Sequence, residues 1–320
     1  LNLSLEPLAD EMAQLDAVIR RRLDSNVVLI RTVADYIIGS GGKRLRPALL
    51  LLISRALRAE HASRFELAAV VEFIHTATLL HDDIVDESTL RRGRKTANSV
   101  FGNAASVLVG DFLYSRAFQM MVDAGSMRVM SVLADATNTI AEGEVLQLLN
   151  IHDADVTLER YMNVIEFKTA KLFEASTRIP AILAGSDPAV EHSLASFGRK
   201  LGSAFQLVDD LLDYEGDPAA TGKSLGDDLR EGKVTLPLIH VMEQGTADQL
   251  HLVRNAIEQG GTDQFDAILA AIRDTGALDA TRMLATRQAQ DASDALAVLP
   301  DSTDKSLLLQ LCASLIHRDR

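Results

Sequence analysis

Twice along this chain an Asp-Asp-x-x-Asp cluster interrupts an apolar helical run: Asp82, Asp83 and Asp86 within residues 79–86, then Asp209, Asp210 and Asp213 within residues 205–213. On a helix, residues i and i+4 share a face, so Asp82 lies over Asp86 and Asp209 over Asp213. Carboxylates crowded among Leu, Ile and Val repel one another and are costly to keep charged without a partner. A hard divalent cation with oxygen ligands is the natural partner. One such cluster alone is as readily a solvated helix face. Two in the same apolar setting favour a pair of helices facing each other across a cavity, each lending carboxylates to a Mg²⁺ cluster.

The rest of the chain offers such helices a bundle. Apolar positions recur at three- and four-residue spacing almost throughout, and sustained strand-type alternation is absent, so the spacing predicts an all-α fold. Breaks fall at residues 39–42, 92–94, 125–126, 150–155, 185–188, 216–218 and 260–261, which implies ten or more helices. No Pro- or Ser-rich linker and no fixed repeat divides the sequence. A single domain over residues 1–320 is expected, with the acidic helices meeting centrally and their carboxylates at one mouth. The part after Asp263 holds no dense polar constellation and reads as scaffold.

Composition narrows the function classes. With 320 residues and 47% hydrophobic content there is ample material for a core. Apolar stretches are interrupted, as by Glu72 and His75, before reaching the roughly 20 residues of a membrane span, so no transmembrane segment is expected. The start shows no secretory pattern, and a cytoplasmic location is the expectation. The lone cysteine, Cys312, excludes an intrachain disulfide and a cysteine-rich zinc site. A formal charge of −13 argues against a nucleic-acid surface. It does not argue against a small phosphorylated ligand, because bound divalent cations reverse the local sign.

The few basic clusters then gain weight. Lys43, Arg44 and Arg46 follow a glycine turn and precede a helix, a setting that suits a diphosphate but is also found in ordinary exposed turns. Arg91, Arg92, Arg94 and Lys95 lie just beyond the first acidic helix, where capping of the helix dipole is the plainer reading. His75, two turns before Asp82, is readable as a core histidine. Lys168-Thr169 follows a helical stretch, and Lys223, Asp227, Asp228 and Lys233 follow the second acidic motif. Singly each is a surface residue. Together they supply enough charge to hold two diphosphates, one through metal and one through Arg, Lys and His.

With these residues in hand the chain resembles the trans-isoprenyl diphosphate synthases, and among them the long-chain bacterial polyprenyl, octaprenyl-type, enzymes. The resemblance runs over nearly the whole chain. It rests on residues 72–88 with Arg91-Arg92-Gly93, on residues 205–213, and on residues 41–47, 102–111, 168–169 and 232–237. It implies a homodimeric all-α fold and head-to-tail condensation of isopentenyl diphosphate onto an allylic diphosphate. By position, Asp82, Asp83, Asp86, Asp209, Asp210 and Asp213 would hold two or three Mg²⁺ against the allylic diphosphate. Arg91, Lys168, Gln206, Lys223 and Lys233 would support that diphosphate, and Lys43, Arg46, His75 and Arg92 would bind the one on isopentenyl diphosphate. Thr169 and Gln206 would aid an allylic cation through their dipoles. A respiratory quinone side chain is the implied destination of the product.

The growing chain should descend along the first acidic helix. Ala77 and Thr78, one turn below Asp82, are small and leave the path open, while Met121 and Leu133 are candidates for the floor. About eight isoprene units (C40) are expected, with C45–C50 as the longer variants. Two other classes use similar chemistry. A terpene cyclase or squalene-type coupling enzyme needs no second cationic site, and a silent partner subunit should be able to lose aspartates.

Overall fold

The structure is a computed structural model and describes residues 6–39, 42–91, 93–215, 225–261 and 263–316. It is a single helical domain, as the spacing predicts. The helices are α1 (Ala9–Arg22), α2 (Val28–Ile38), α3 (Leu45–Ala56), α4 (Arg64–Val85), α5 (Ala97–Phe101), α6 (Asn103–Asp123), α7 (Met127–Asn150) and α8 (Leu158–Val164). After a π-helical turn over Ile165–Ala170 come α9 (Lys171–Leu183), α10 (Pro188–Glu215), α11 (Asp227–Arg230), α12 (Leu236–Gln244), α13 (Ala247–Gln259), α14 (Phe265–Asp274), α15 (Ala277–Ala295) and α16 (Thr303–Ile316). The expected breaks separate helices wherever they fall on described residues; the one at residues 216–218 lies outside them. One departure from the all-helical reading is a minimal antiparallel hairpin, Leu90–Arg91 with Arg94–Lys95, directly after α4.

Helix α3 shows why the centre is dry. Leu49, Leu50, Leu51, Leu52 and Ile53 are all sealed from solvent, so the helix is apolar all round and fits only an interior. Each such side chain contributes about 1.5–3 kcal/mol on burial. Pro47 occupies its first turn, where a missing N–H removes no intrahelical bond. Around α3, the acidic helix α4 packs on α6 and α3, and α3 packs on α9. The second acidic helix, α10, packs on α9 and on α15, so the C-terminal part buttresses it.

Two helical glycines let α10 close on α9 and on the π turn. A Cβ on Gly198 would stand 2.4 Å from the Phe173 carbonyl oxygen, and one on Gly202 would stand 2.7 Å from Ala170 Cα. On the opposite side, a Cβ on Gly143 of α7 would lie 2.7 Å from the Lys168 amide nitrogen. The backbone carrying Lys168 and Thr169 is thus pinched between α7 and α10, which fixes where these side chains emerge. Beside the Thr177 hydroxyl, the obstructing atoms at Gly198 are the backbone of Phe173 and Glu174, which cannot rotate away. Gly198→Ala is therefore expected to destabilise the fold by about 2 kcal/mol in a denaturant titration, despite the better helix propensity of alanine; an unchanged midpoint would show that α9 can retreat.

Candidate active site

Helices α4 and α10 bring Asp82 and Asp86 of the first acidic cluster and Asp210 of the second to a common pocket. A cleft of about 230 Å³ is walled by Asp82, Asp86, Arg91, Lys168, Thr169, Gln206, Asp210, Asp227, Asp228 and Lys233. Asp82 and Asp86 also line a larger cavity of about 1270 Å³, whose wall includes Thr78, Val85, Phe118, Ile140, Val145 and Leu148. A charged cleft therefore opens beside a larger, more apolar space, with α4 common to both.

Within each cluster the three aspartates are not equivalent. Asp82 and Asp86 face lysines: Lys168 Nζ stands 3.6 Å from Asp82, and Lys233 Nζ donates to Asp86 at 2.9 Å. Asp83 is turned away and buried, where Arg91 donates to its Oδ1 from Nε at 2.8 Å and approaches from Nη2 at 2.7 Å. Burial raises the Asp83 carboxyl and the Arg91 guanidinium opposes that rise. Asp210 is likewise buried, accepting from the Tyr161 hydroxyl and, at 2.8 Å, from Gln206 Nε2. Burial, with Asp228 beside it, pushes Asp210 up to about 7. Asp213 accepts the amides of Asp227 and Asp228 at 3.2 and 3.3 Å, so it anchors the start of α11. The negative field of Asp209 reaches Arg46.

A hydrogen-bond chain fixes the polar pair next to these aspartates. Thr169 Oγ1 donates to Gln206 Oε1 at 2.9 Å, while the Gln206 amide donates onward to Asp210. Since the threonine proton is spent on Gln206, the hydroxyl has only lone pairs to offer the cleft. Lys168 donates to Glu144 at 2.6 Å. Burial, then the nearby Asp82, raises Glu144 to about 7 against the pull of Lys168. Burial works against the charge of Lys233, but Asp228, Asp86 and Glu231 outweigh it and hold the ammonium well above its ordinary range.

A second basic group lies deeper. Arg46 Nη1 is 3.2 Å from His75 Nε2, and its guanidinium sits 4.2 Å from the centroid of the Phe173 ring. Arginine can only donate, so His75 Nε2 accepts and its proton sits on Nδ1. Burial lowers Arg46 to about 10, with Glu72 and Asp209 opposing. His75 is thus tied to a cation as well as packed in α4. Lys43 is exposed ahead of α3. Arg92 and Lys223 lie outside the described residues.

Sequence reasoning missed Glu144, Tyr161 and Glu231, which hold Lys168, Asp210 and Lys233 in turn. None stands in a cluster, so only their neighbours in space reveal them. The expected chain-length pair separates: Thr78 lines the large cavity, whereas Ala77 is fully enclosed in the core and absent from that wall. Met121 and Leu133 are also core residues outside the wall, about one turn beyond Phe118 and Thr137 on their helices.

Among the described residues no three acidic or imidazole groups form a ready-made metal cage. Mg²⁺ does not need one, because it keeps several waters and binds through one or two carboxylates plus substrate phosphates. The donors fit it: Asp82 and Asp86 offer hard oxygens whose charge is met here by Lys168 and Lys233.

The raised carboxyls set a pH dependence. A carboxyl whose folded pKa lies above its unfolded value stabilises the fold while protonated, and that contribution is lost as pH rises through the folded value. For Asp210 and Glu144 the loss begins at the ordinary carboxyl value of about 4 and is complete at about 7. In chelator, the thermal midpoint should fall between about pH 4 and pH 7 and level off above that, and Asp210→Asn should flatten the decline. A flat profile in the unmutated chain would contradict this electrostatic picture.

The comparisons agree with this architecture. The Polyprenyl synthetase family profile matches residues 27–274. Octaprenyl diphosphate synthase of Escherichia coli (strain K12) is 52% identical over 316 residues, covering 98% of each chain. The all-trans-nonaprenyl-diphosphate synthase (geranyl-diphosphate specific) of Rhodobacter capsulatus is 44% identical over 317 residues, covering 98% of this chain and 97% of that one. A polyprenyl synthase from Caulobacter crescentus CB15, solved with calcium and isoprenyl diphosphate, superposes with a TM-score of 0.94 at 42% identity, covering 99% of this chain and 97% of that one. With a match over most of its length and full-length relatives at this identity, the chain belongs to the polyprenyl synthetase family.

Proposed function

We propose that this chain adds isopentenyl diphosphate units head to tail onto an allylic diphosphate, farnesyl diphosphate in the first instance, to give a C40 product. The observation that carries the reading is the pairing of a charged cleft with a large cavity across the same helix, α4. The long-chain prenyltransferase class is supported by the octaprenyl diphosphate synthases that it matches along its length. The 44% identical relative is named for nonaprenyl diphosphate, so C45, and beyond it C50, are the neighbouring products. A respiratory quinone side chain, made in the cytoplasm, belongs to the same reading. No helix among the described residues is long and apolar enough to cross a membrane.

The roles follow from charge and position. Asp82, Asp86 and Asp209 would hold two or three Mg²⁺, with Asp83, Asp210 and Asp213 bracing the helices that present them. When bound, the metal supplies positive charge that stabilises the departing pyrophosphate as the allylic C–O bond ionises. Arg91, Lys168, Lys223 and Lys233 add donors around that pyrophosphate as its charge develops. The lone pairs of Thr169 Oγ1, oriented by Gln206, face the electron-poor allylic carbon. Lys43, Arg46, His75 and Arg92 hold the diphosphate of isopentenyl diphosphate, whose double bond forms the new C–C bond. A proton is then lost from the carbon beside it to the released pyrophosphate, which restores a double bond. The apolar wall excludes water that would quench the cation.

The tail grows into the large cavity past Thr78, which has Ala77 behind it, toward Phe118 and, one turn farther, Met121 and Leu133. Outside the cavity wall, helices α6 and α7 carry an exposed apolar set, Leu108, Val122 and Leu149, each more than half exposed. An area of this kind on a single chain supports a homodimer through these two helices.

The test is incubation with Mg²⁺, farnesyl diphosphate and radiolabelled isopentenyl diphosphate, followed by separation of dephosphorylated products by length. A dominant C40 band is expected; no incorporation would overturn the reading in favour of a cyclase or a silent subunit. In the same assay Thr78→Tyr should shorten the product by several units. Phe118→Ala should lengthen it by about one unit, since one helical turn is about the length of one isoprene. Unchanged lengths in both variants would remove this cavity as the path.

A further inference from the structure

His152, in the loop between α7 and α8, belongs to none of the motifs used above, yet four features converge on it. Its backbone sits in the left-handed region at φ +60°, uncommon outside glycine, where Asn, Asp and His are the side chains most readily accommodated. Its amide donates to the carbonyl of Gly232 at 2.9 Å. Its ring Nδ1 is 2.7 Å from the carbonyl of Ile257 at the end of α13, and because a carbonyl only accepts, Nδ1 carries the proton. Finally, the ring occupies the space that two glycines leave empty. A Cβ on Gly232 would lie 2.4 Å from its Cε1, and one on Gly260 would lie 2.9 Å from the same atom.

Both glycines themselves have positive φ, +75° and +62°. Two chain reversals thus lack side chains at the two places where one imidazole is seated. What that seat holds still is the residue after Gly232. Lys233 donates its amide to the Asp228 carbonyl at 2.8 Å and its ammonium to Asp86 at 2.9 Å, so its position relative to α4 depends on the turn before it. The other side of His152 faces the large cavity.

We propose that His152 is a positioning residue that locks the Gly232 turn against α13 and so aims Lys233 at the allylic diphosphate. The inference rests on the prenyl-transfer reading. Removing the ring frees the turn, Lys233 samples more positions, and the diphosphate bound beside Asp86 is held less well. The Arg46–His75 pair, on other elements, is untouched.

The test compares the full chain with His152→Gly, which keeps the amide and suits the left-handed backbone, and with His152→Asn. Asparagine tolerates the same backbone, and its side-chain nitrogen lies as many bonds from Cα as Nδ1 does, so it restores the donor to Ile257. In His152→Gly, the KM for farnesyl diphosphate and its calorimetric Kd with Mg²⁺ should rise about tenfold, the scale of one weakened charge-assisted hydrogen bond. The KM for isopentenyl diphosphate should stay within about twofold, and His152→Asn should return both values to the parent range. His152→Ser replaces the glycine variant should that one fail to fold. Equal changes in both KM values, no change in either, or failure of asparagine to rescue would each overturn the role of His152. An unmutated chain that incorporates no isopentenyl diphosphate would instead overturn prenyl transfer.

Discussion

Negative charge gathered against an apolar interior is the condition to which the rest of this molecule answers. Asp82, Asp83, Asp209, Asp210 and Asp213 sit on two helices whose other faces are core, Asp86 follows the last residue of the first, and the local dielectric makes each uncompensated charge expensive. The chain compensates in three ways. Arg91 covers Asp83, Lys168 and Lys233 stand over Asp82 and Asp86, and Tyr161 with Gln206 supplies hydrogen bonds to Asp210. The lysines are the replaceable part of this arrangement. Each is shared between acids, Lys168 with Glu144 and Lys233 with Glu231, so it can turn to an incoming diphosphate without leaving a carboxylate isolated.

Placement of those lysines is a matter of backbone. Lys168 emerges from a turn squeezed between Gly143 and Gly202, and Lys233 follows a turn closed by Gly232. In both cases a missing side chain on one element sets the position of a charged side chain on another. Packing and electrostatics are therefore coupled at the level of single Cβ atoms.

Much of this was legible in the chain. The i, i+4 relation identified Asp82 with Asp86 as a facing pair, and the apolar spacing around them gave helices meeting at one mouth. The same periodicity, carried one step further, puts Asp83 about 100° off that face, where it is found bonded to Arg91, whereas Asp210, bonded to Tyr161, still lines the cleft. Other features were beyond local pattern. Glu144 and Glu231 are single acids in helical or turn sequence, and only the fold brings them to lysines. Ala77 and Thr78 are adjacent and similar in size; which of them meets the cavity depends on the rotation of α4 against α6, a tertiary quantity.

The π turn at Ile165–Ala170 carries a consequence for how this chain tolerates change in length. A π turn holds one residue more than the α-helix on either side of it. Deleting a single residue there would let α8 and α9 fuse into one regular helix, a locally favourable outcome. Because the bulge absorbs that residue, α8 and α9 would keep nearly the same relation to each other, and the change would fall on the turn itself. Lys168 and Thr169 would lose their direction while the core barely noticed. Insertions and deletions that surface loops absorb without effect would here leave a folded protein with a dismantled centre, so the reading frame of this one turn is held by chemistry rather than by stability.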